Sequence, residues 1–184
     1  MTNWLLPREY ERYQKQCKED FEKATSEPLV ITLFGPNMEE PGGELRRGLA
    51  TALRQNHIVN IPEELEKPPG YHGELKAWEA VQVKNSDLLL HLPDSPGSIG
   101  EMVYLTYPTL AMKTVFFCQE EHRAGYVGLA LLHEHEVKHD HVYYYSKDEA
   151  DPEALLGKIE ELLRYLSIEK WLRQGEMNGG TQGV

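Results

Sequence analysis

Residues 28–36, PLVITLFGP, form a β-branched, almost wholly apolar run that stops at Gly-Pro. A continuous run of this kind suits a central strand of a parallel sheet covered on both faces. A loop rich in Gly, Pro and Glu follows. Leu45, Leu49, Ala52 and Leu53 then recur at helical spacing and predict a helix ending near Asn56. The alternation repeats along the chain. HIVNI (57–61) predicts a short second strand, Gly73 to Asn85 a helix, and DLLLHLP (87–93) a third strand. Ser98 to Lys113 predicts a helix bent near Pro108. TVFFCQ (114–119) and HVYYYS (141–146) predict the fourth and fifth strands, and YVGLALLHEHE (126–136) a short helix in a long connection. From Asp151 to Arg173, a long helix runs through Leu155, Leu156, Ile159, Leu162, Leu163 and Leu166. Asp151 caps it, with Pro152 and Glu153 in its first turn.

Strands alternating with helices at this spacing predict an α/β fold with a doubly wound parallel sheet of about five strands. Extra helices stand at both ends. Tyr10, Tyr13, Cys17 and Phe21 recur at helical spacing between charges and predict an amphipathic N-terminal helix that must dock on something. The division expected is an N-terminal helix over 1–26, an α/β domain over 27–174 and a disordered tail, GEMNGGTQGV, over 175–184.

Thirty acidic against nineteen basic residues give a net charge of -11, which argues against general nucleic-acid binding. A small anionic ligand remains open, since local amides and one or two arginines can hold a phosphate on an acidic protein. The only cysteines, Cys17 and Cys118, have no CxxC spacing and read as a reduced intracellular pair. No signal-peptide core opens the chain, and no segment approaches the ~20 apolar residues of a membrane span. The expectation is a cytoplasmic protein with no membrane and no nucleic-acid partner.

In open α/β sheets, ligands bind outside the carboxyl ends of the strands. Two such ends carry conspicuous loops, FGPNMEEPGGELRR (34–47) and PDSPGSIGE (93–101), each running into a predicted helix. Helix-entry amides make anion sites, yet neither loop matches GxGxxG or GxxxxGK[ST]. The plain alternative is turn chemistry, with Ser98 and Glu101 as an S-x-x-E capping box. A second cluster, HEHEVKHDH, brings His133, His135, His139 and His141 into nine residues. Such a cluster could ligate zinc, but alternating His and acid without HExxH reads as a solvated segment, and no metal is assigned. His91, inside the third strand, reads as a hydrogen-bonded interior residue.

The segment SDLLLHLPDSPGSIGEMVYLTYPTLAMKTVFFC (86–118) resembles the core of the nucleoside 2-deoxyribosyltransferase-like superfamily, and the likeness spans roughly residues 28 to 118. Related layouts occur in deoxynucleoside monophosphate N-glycosidases and TIR-type NAD-cleaving domains. The resemblance implies a flavodoxin-like sheet in the order 2-1-3-4-5, no cofactor, and a homo-oligomer acting on a small nucleoside or nucleotide. It places Glu101 on the catalytic glutamate, and Asp94, Ser95, Pro96, Gly97 and Ser98 on the segment that contacts sugar and phosphate. Gly35, Asn37, Gly42, Gly43 and Arg46 fall on the family's other ligand-contacting loop. The family's ELG after the nucleophile is EMV here, and Ser95 and Ser98 stand where transferases favour an aspartate, which looks more like the monophosphate hydrolases.

The chemistry is coherent with these residue types. Cleaving an N-glycosidic bond passes through an oxocarbenium-like centre, which a carboxylate beneath it captures or stabilises. A second acid such as Glu79 or Glu74 would help the base depart, and Trp78 or Tyr71 could stack on it. The bland reading of these four is a surface helix with one aromatic tucked inward. The expected activity is N-glycosidic cleavage, with hydrolysis favoured over base exchange. The alternatives are a non-catalytic nucleotide-binding module and an interaction subunit that docks through its terminal helices.

Overall fold

The computed structural model describes residues 7–39, 43–65, 75–94, 98–99, 105, 108–125 and 132–179. In chain order the elements are α1 (Pro7–Thr25), β1 (Val30–Phe34), α2 (Glu44–Leu53), β2 (Ile58–Asn60), α3 (Leu75–Lys84), β3 (Leu88–His91), α4 (Pro108–Ala111), β4 (Thr114–Gln119), α5 (His133–His139), β5 (Val142–Tyr145) and α6 (Pro152–Gly179). The residues cluster into two compact units. One is Leu29–Glu160; the other joins Met1–Pro28 to Glu161–Val184.

The larger unit holds a five-stranded sheet in the order β2-β1-β3-β4-β5. Every pairing is parallel. Apolar runs form the middle strands because both faces of a parallel sheet are covered. Leu88, Leu89, Leu90 and His91 of β3 are all buried, as are Thr114 to Cys118 of β4. On one face Phe34, Leu89, Phe116 and Cys118 join Val83, Leu105, Leu132 and Val142 in a single apolar cluster. Strand alternation turns Ile31, Leu33, Leu90, Val115 and Phe117 to the other face, where each is fully buried. Within the interior the Thr32 and Ser86 hydroxyls share a 2.6 Å hydrogen bond. At the amino end of the sheet, Asp87 Oδ2 accepts from the Val30 N–H at 2.8 Å and anchors the turn into β3 to β1.

In the smaller unit Lys170 Nζ donates to the Pro28 carbonyl at 2.6 Å, and Gln174 Nε2 donates to Glu27 at 2.9 Å. Tyr10, Tyr13, Cys17 and Phe21 of α1 are all exposed. The amphipathic stripe that the sequence predicts is therefore real but uncovered. Two element boundaries differ from expectation. α6 continues to Gly179, past Arg173 and into the segment expected to be disordered; extending an existing helix costs far less than nucleating one. The histidine-rich segment is helical over His133–His139, three residues past the end expected for the short helix of 126–136. Among the described residues no helix is long and apolar enough to cross a membrane.

Candidate functional site

The strand order reverses at β1 and β3, so their carboxyl ends flank the switch point. The chain leaves β1 through Gly35, at φ +147°, a conformation that L side chains rarely adopt. A methyl group there would meet Leu92 Cβ at 3.1 Å and the Leu92 carbonyl at 3.2 Å. The Leu92 N–H in turn donates to the Phe34 carbonyl at 3.1 Å. The segments after β1 and β3 thus touch, backbone against backbone.

The first loop is held by its own polar groups. Asn37 Oδ1 accepts from the Glu39 N–H at 3.0 Å, and Gly43 caps α2 against the Asn37 carbonyl. Arg46, only 1% exposed, spends every nitrogen of its guanidinium on structure. It donates to the carbonyls of Leu33 at 2.8 Å, Gly35 at 3.1 Å and Pro36 at 3.0 Å. It also forms a bidentate pair with Glu63, both contacts at 2.9 Å. A cavity of about 330 Å³ opens here, lined by Asn37, Met38, Glu39, Arg46, Ile61, Glu63 and Glu64. The arginine that sequence reading offers to a phosphate is instead the tie that fixes the exit of β1.

The third-strand loop carries Asp94, whose carboxyl reaches across the sheet to β5. Tyr145 donates its hydroxyl proton to Asp94 Oδ2 at 2.5 Å, a short charge-assisted contact. Burial pushes the Asp94 carboxyl above the usual aspartate range, while hydrogen bonds from Tyr145 and Gln119 pull it back, as do the nearby His122 and His91. Tyr145 is raised far above the ordinary tyrosine range, first by burial and then by the charge of Asp94, so its phenol keeps its proton. Beside it the Cys118 thiol is pushed up to about 12 by burial and is inert as a nucleophile. His91 lies fully buried at the end of β3, edge-on to Phe116 at 5.5 Å.

Of the remaining sequence candidates, Glu101, Gly42, Ser95 and Gly97 lie outside the described residues. Trp78 and Glu79 fall on α3, but their side chains also lie outside the described set. Ser98 is buried. The structure therefore brings Gly35, Arg46 and Asp94 to the carboxyl end of the sheet, and it adds Gln119 and Tyr145, which sequence reading missed. A polar residue closing an otherwise apolar strand, as Gln119 closes TVFFCQ, was the available signal.

The histidines gather elsewhere. On α5, His135 and His139 share a face with ring centroids 5.0 Å apart, and His141 stands 6.5 Å from His135. His135 is buried, packs edge-on against Phe116 and bonds to the Thr114 carbonyl at 3.0 Å. Among the described residues no three His, Cys, Asp or Glu side chains converge as a metal site requires. No protein-family model matches the chain, and no curated protein matches it.

Proposed function

We propose that the protein is an N-glycosidase that cleaves the bond between base and sugar of a nucleoside, nucleotide or dinucleotide. One observation carries the reading: the loops after β1 and β3 meet at the switch point, and the second of them, which bears the candidate glutamate, presents a carboxyl of raised pKa. In this scheme Glu101 lies beneath the anomeric carbon. The C1′–N bond breaks, its electron pair leaves with the base, and the base takes up a proton. The carboxylate of Glu101 captures or stabilises the cation, and water supplies the new C1′–O bond. Gly35 matters by its lack of a side chain, which lets the two loops close together, and Arg46 by holding the first loop in place. The uncovered stripe of α1 supports self-association as a homo-oligomer.

Chromatography after incubation with pooled nucleosides, nucleoside monophosphates and NAD tests the activity. Release of free base supports it. Binding without release puts the non-catalytic binding module in its place, and neither binding nor release contradicts both.

A further inference from the structure

At the far side of the same sheet end, Gln119 and Tyr145 are register partners on adjacent strands. With Glu120, Glu121, Ser146 and Lys147 they line a second cavity, of about 240 Å³. Around Gln119 and Tyr145, acceptors are left over. The single hydroxyl proton of Tyr145 is committed to Asp94, so toward a ligand the phenol oxygen can only accept. Gln119 Oε1 is buried and has no hydrogen-bond partner among the described residues, and neither has Asp94 Oδ1. Buried polar atoms are satisfied in about nine cases of ten, so neighbouring acceptors left over together call for a donor.

Charge points the same way. The lysine that lines the cavity is paired, Lys147 Nζ sitting 3.2 Å from Glu121, and nearby Arg123 sits 3.4 Å from Glu120. A phosphate, all acceptor and anionic, would meet carboxylates and lone pairs here.

We propose that this cavity receives the neutral, hydrogen-bond-donating end of the ligand, either pentose hydroxyls or the amino edge of a base. Gln119 is its specificity-determining residue, and Tyr145 is the positioning residue that holds Asp94. The identity of the ligand rests on the N-glycosidase reading; the donor requirement does not.

Isothermal titration calorimetry with adenosine, 2′-deoxyadenosine and inosine separates the two donor sources. Adenosine is expected to bind wild type more tightly than one of the other two. Preference over the deoxy probe assigns the hydroxyls, and preference over inosine assigns the amino edge. Gln119→Leu is expected to weaken adenosine at least about tenfold and to erase that preference, roughly the value of one hydrogen-bonded group in a tight site. Tyr145→Phe keeps the ring and its packing but releases Asp94. Because that hydrogen bond lowers the Asp94 pKa, the acid limb of adenosine binding is expected to move to higher pH in this variant, while His91, His122, Cys118 and Glu120 around it stay unchanged. Identical binding and an unmoved pH profile in the folded variants overturn the subsite alone. No binding of any probe by wild type overturns the nucleoside reading and the ligand assigned here with it.

Discussion

A methyl group added at Gly43 would stand 2.2 Å from the Asn37 carbonyl oxygen and 2.7 Å from Met38 Cα. Both are backbone atoms of the loop that Arg46 ties down, so neither can move aside cheaply. Gly43→Ala is expected to cost about 1–3 kcal/mol, the usual range for overpacking, read as a lower urea midpoint. An unchanged midpoint would mean that the loop is looser than its hydrogen bonds indicate. His135 gives a pH-dependent counterpart. Burial lowers its pKa from 6.5 to about 4, with the neighbouring imidazoles of His139 and His141 acting in the same direction. A folded value below the unfolded one means stability that is present above pH 6.5 and lost as pH falls toward 4. The loss is on the order of 3 kcal/mol at most. His141, also lowered by burial, adds with the same sign, while Asp94, whose pKa is raised, works against it. Denaturation at pH 7, 5.5 and 4.5 should show a steep decline in wild type and a flatter one in His135→Leu; parallel slopes would contradict the account. At this scale the sequence was a mixed guide. The sequence singles out Gly35 and Gly43 as ligand-contact candidates but not the backbone packed against both, and nothing in FGPNMEEPGGELRR reveals that Glu63 and three carbonyls will claim the donors of Arg46.

The elements themselves were easier to read. Five apolar runs became five strands because a doubly covered parallel sheet leaves no polar face to blur the signal. A short helix was expected over 126–136, but not that its turn would bury His135 and leave His133 exposed. The junction of α3 with β4 shows how one side chain secures an element. Lys113 Nζ, at the end of the turn before β4, donates to the carbonyls of Val83 at 2.7 Å and Ser86 at 2.8 Å. Partial burial lowers its pKa, opposed by the charge of Asp87. Lys113→Met keeps the stem and strands those two acceptors. It should lose about 1–3 kcal/mol of unfolding free energy by urea titration, and an indifferent result would show that water replaces the ammonium.

For the whole molecule, the strand order 2-1-3-4-5 was the expected one, and the sheet has that order. The partition of the chain was less legible. The C-terminal helix reads as part of the α/β domain, yet from Glu161 onward its residues cluster with the N-terminal helix. An apolar periodicity shows that a helix packs, not which unit it packs with. The site was legible only where a loop announced it. Asp94 stands in such a loop, but Tyr145 lies 51 residues away and is joined to it solely by the lateral order of three strands. We propose that a glutamate on the loop after β3 cleaves a glycosidic bond at this end of the sheet. Base release by Glu101→Gln, measured beside the melting temperature, tests it most directly. The amide preserves shape, but it cannot supply the negative charge that the transition state needs. The expected outcome is an unchanged melting temperature with base release reduced about a thousandfold or more. Full activity in Glu101→Gln would contradict it.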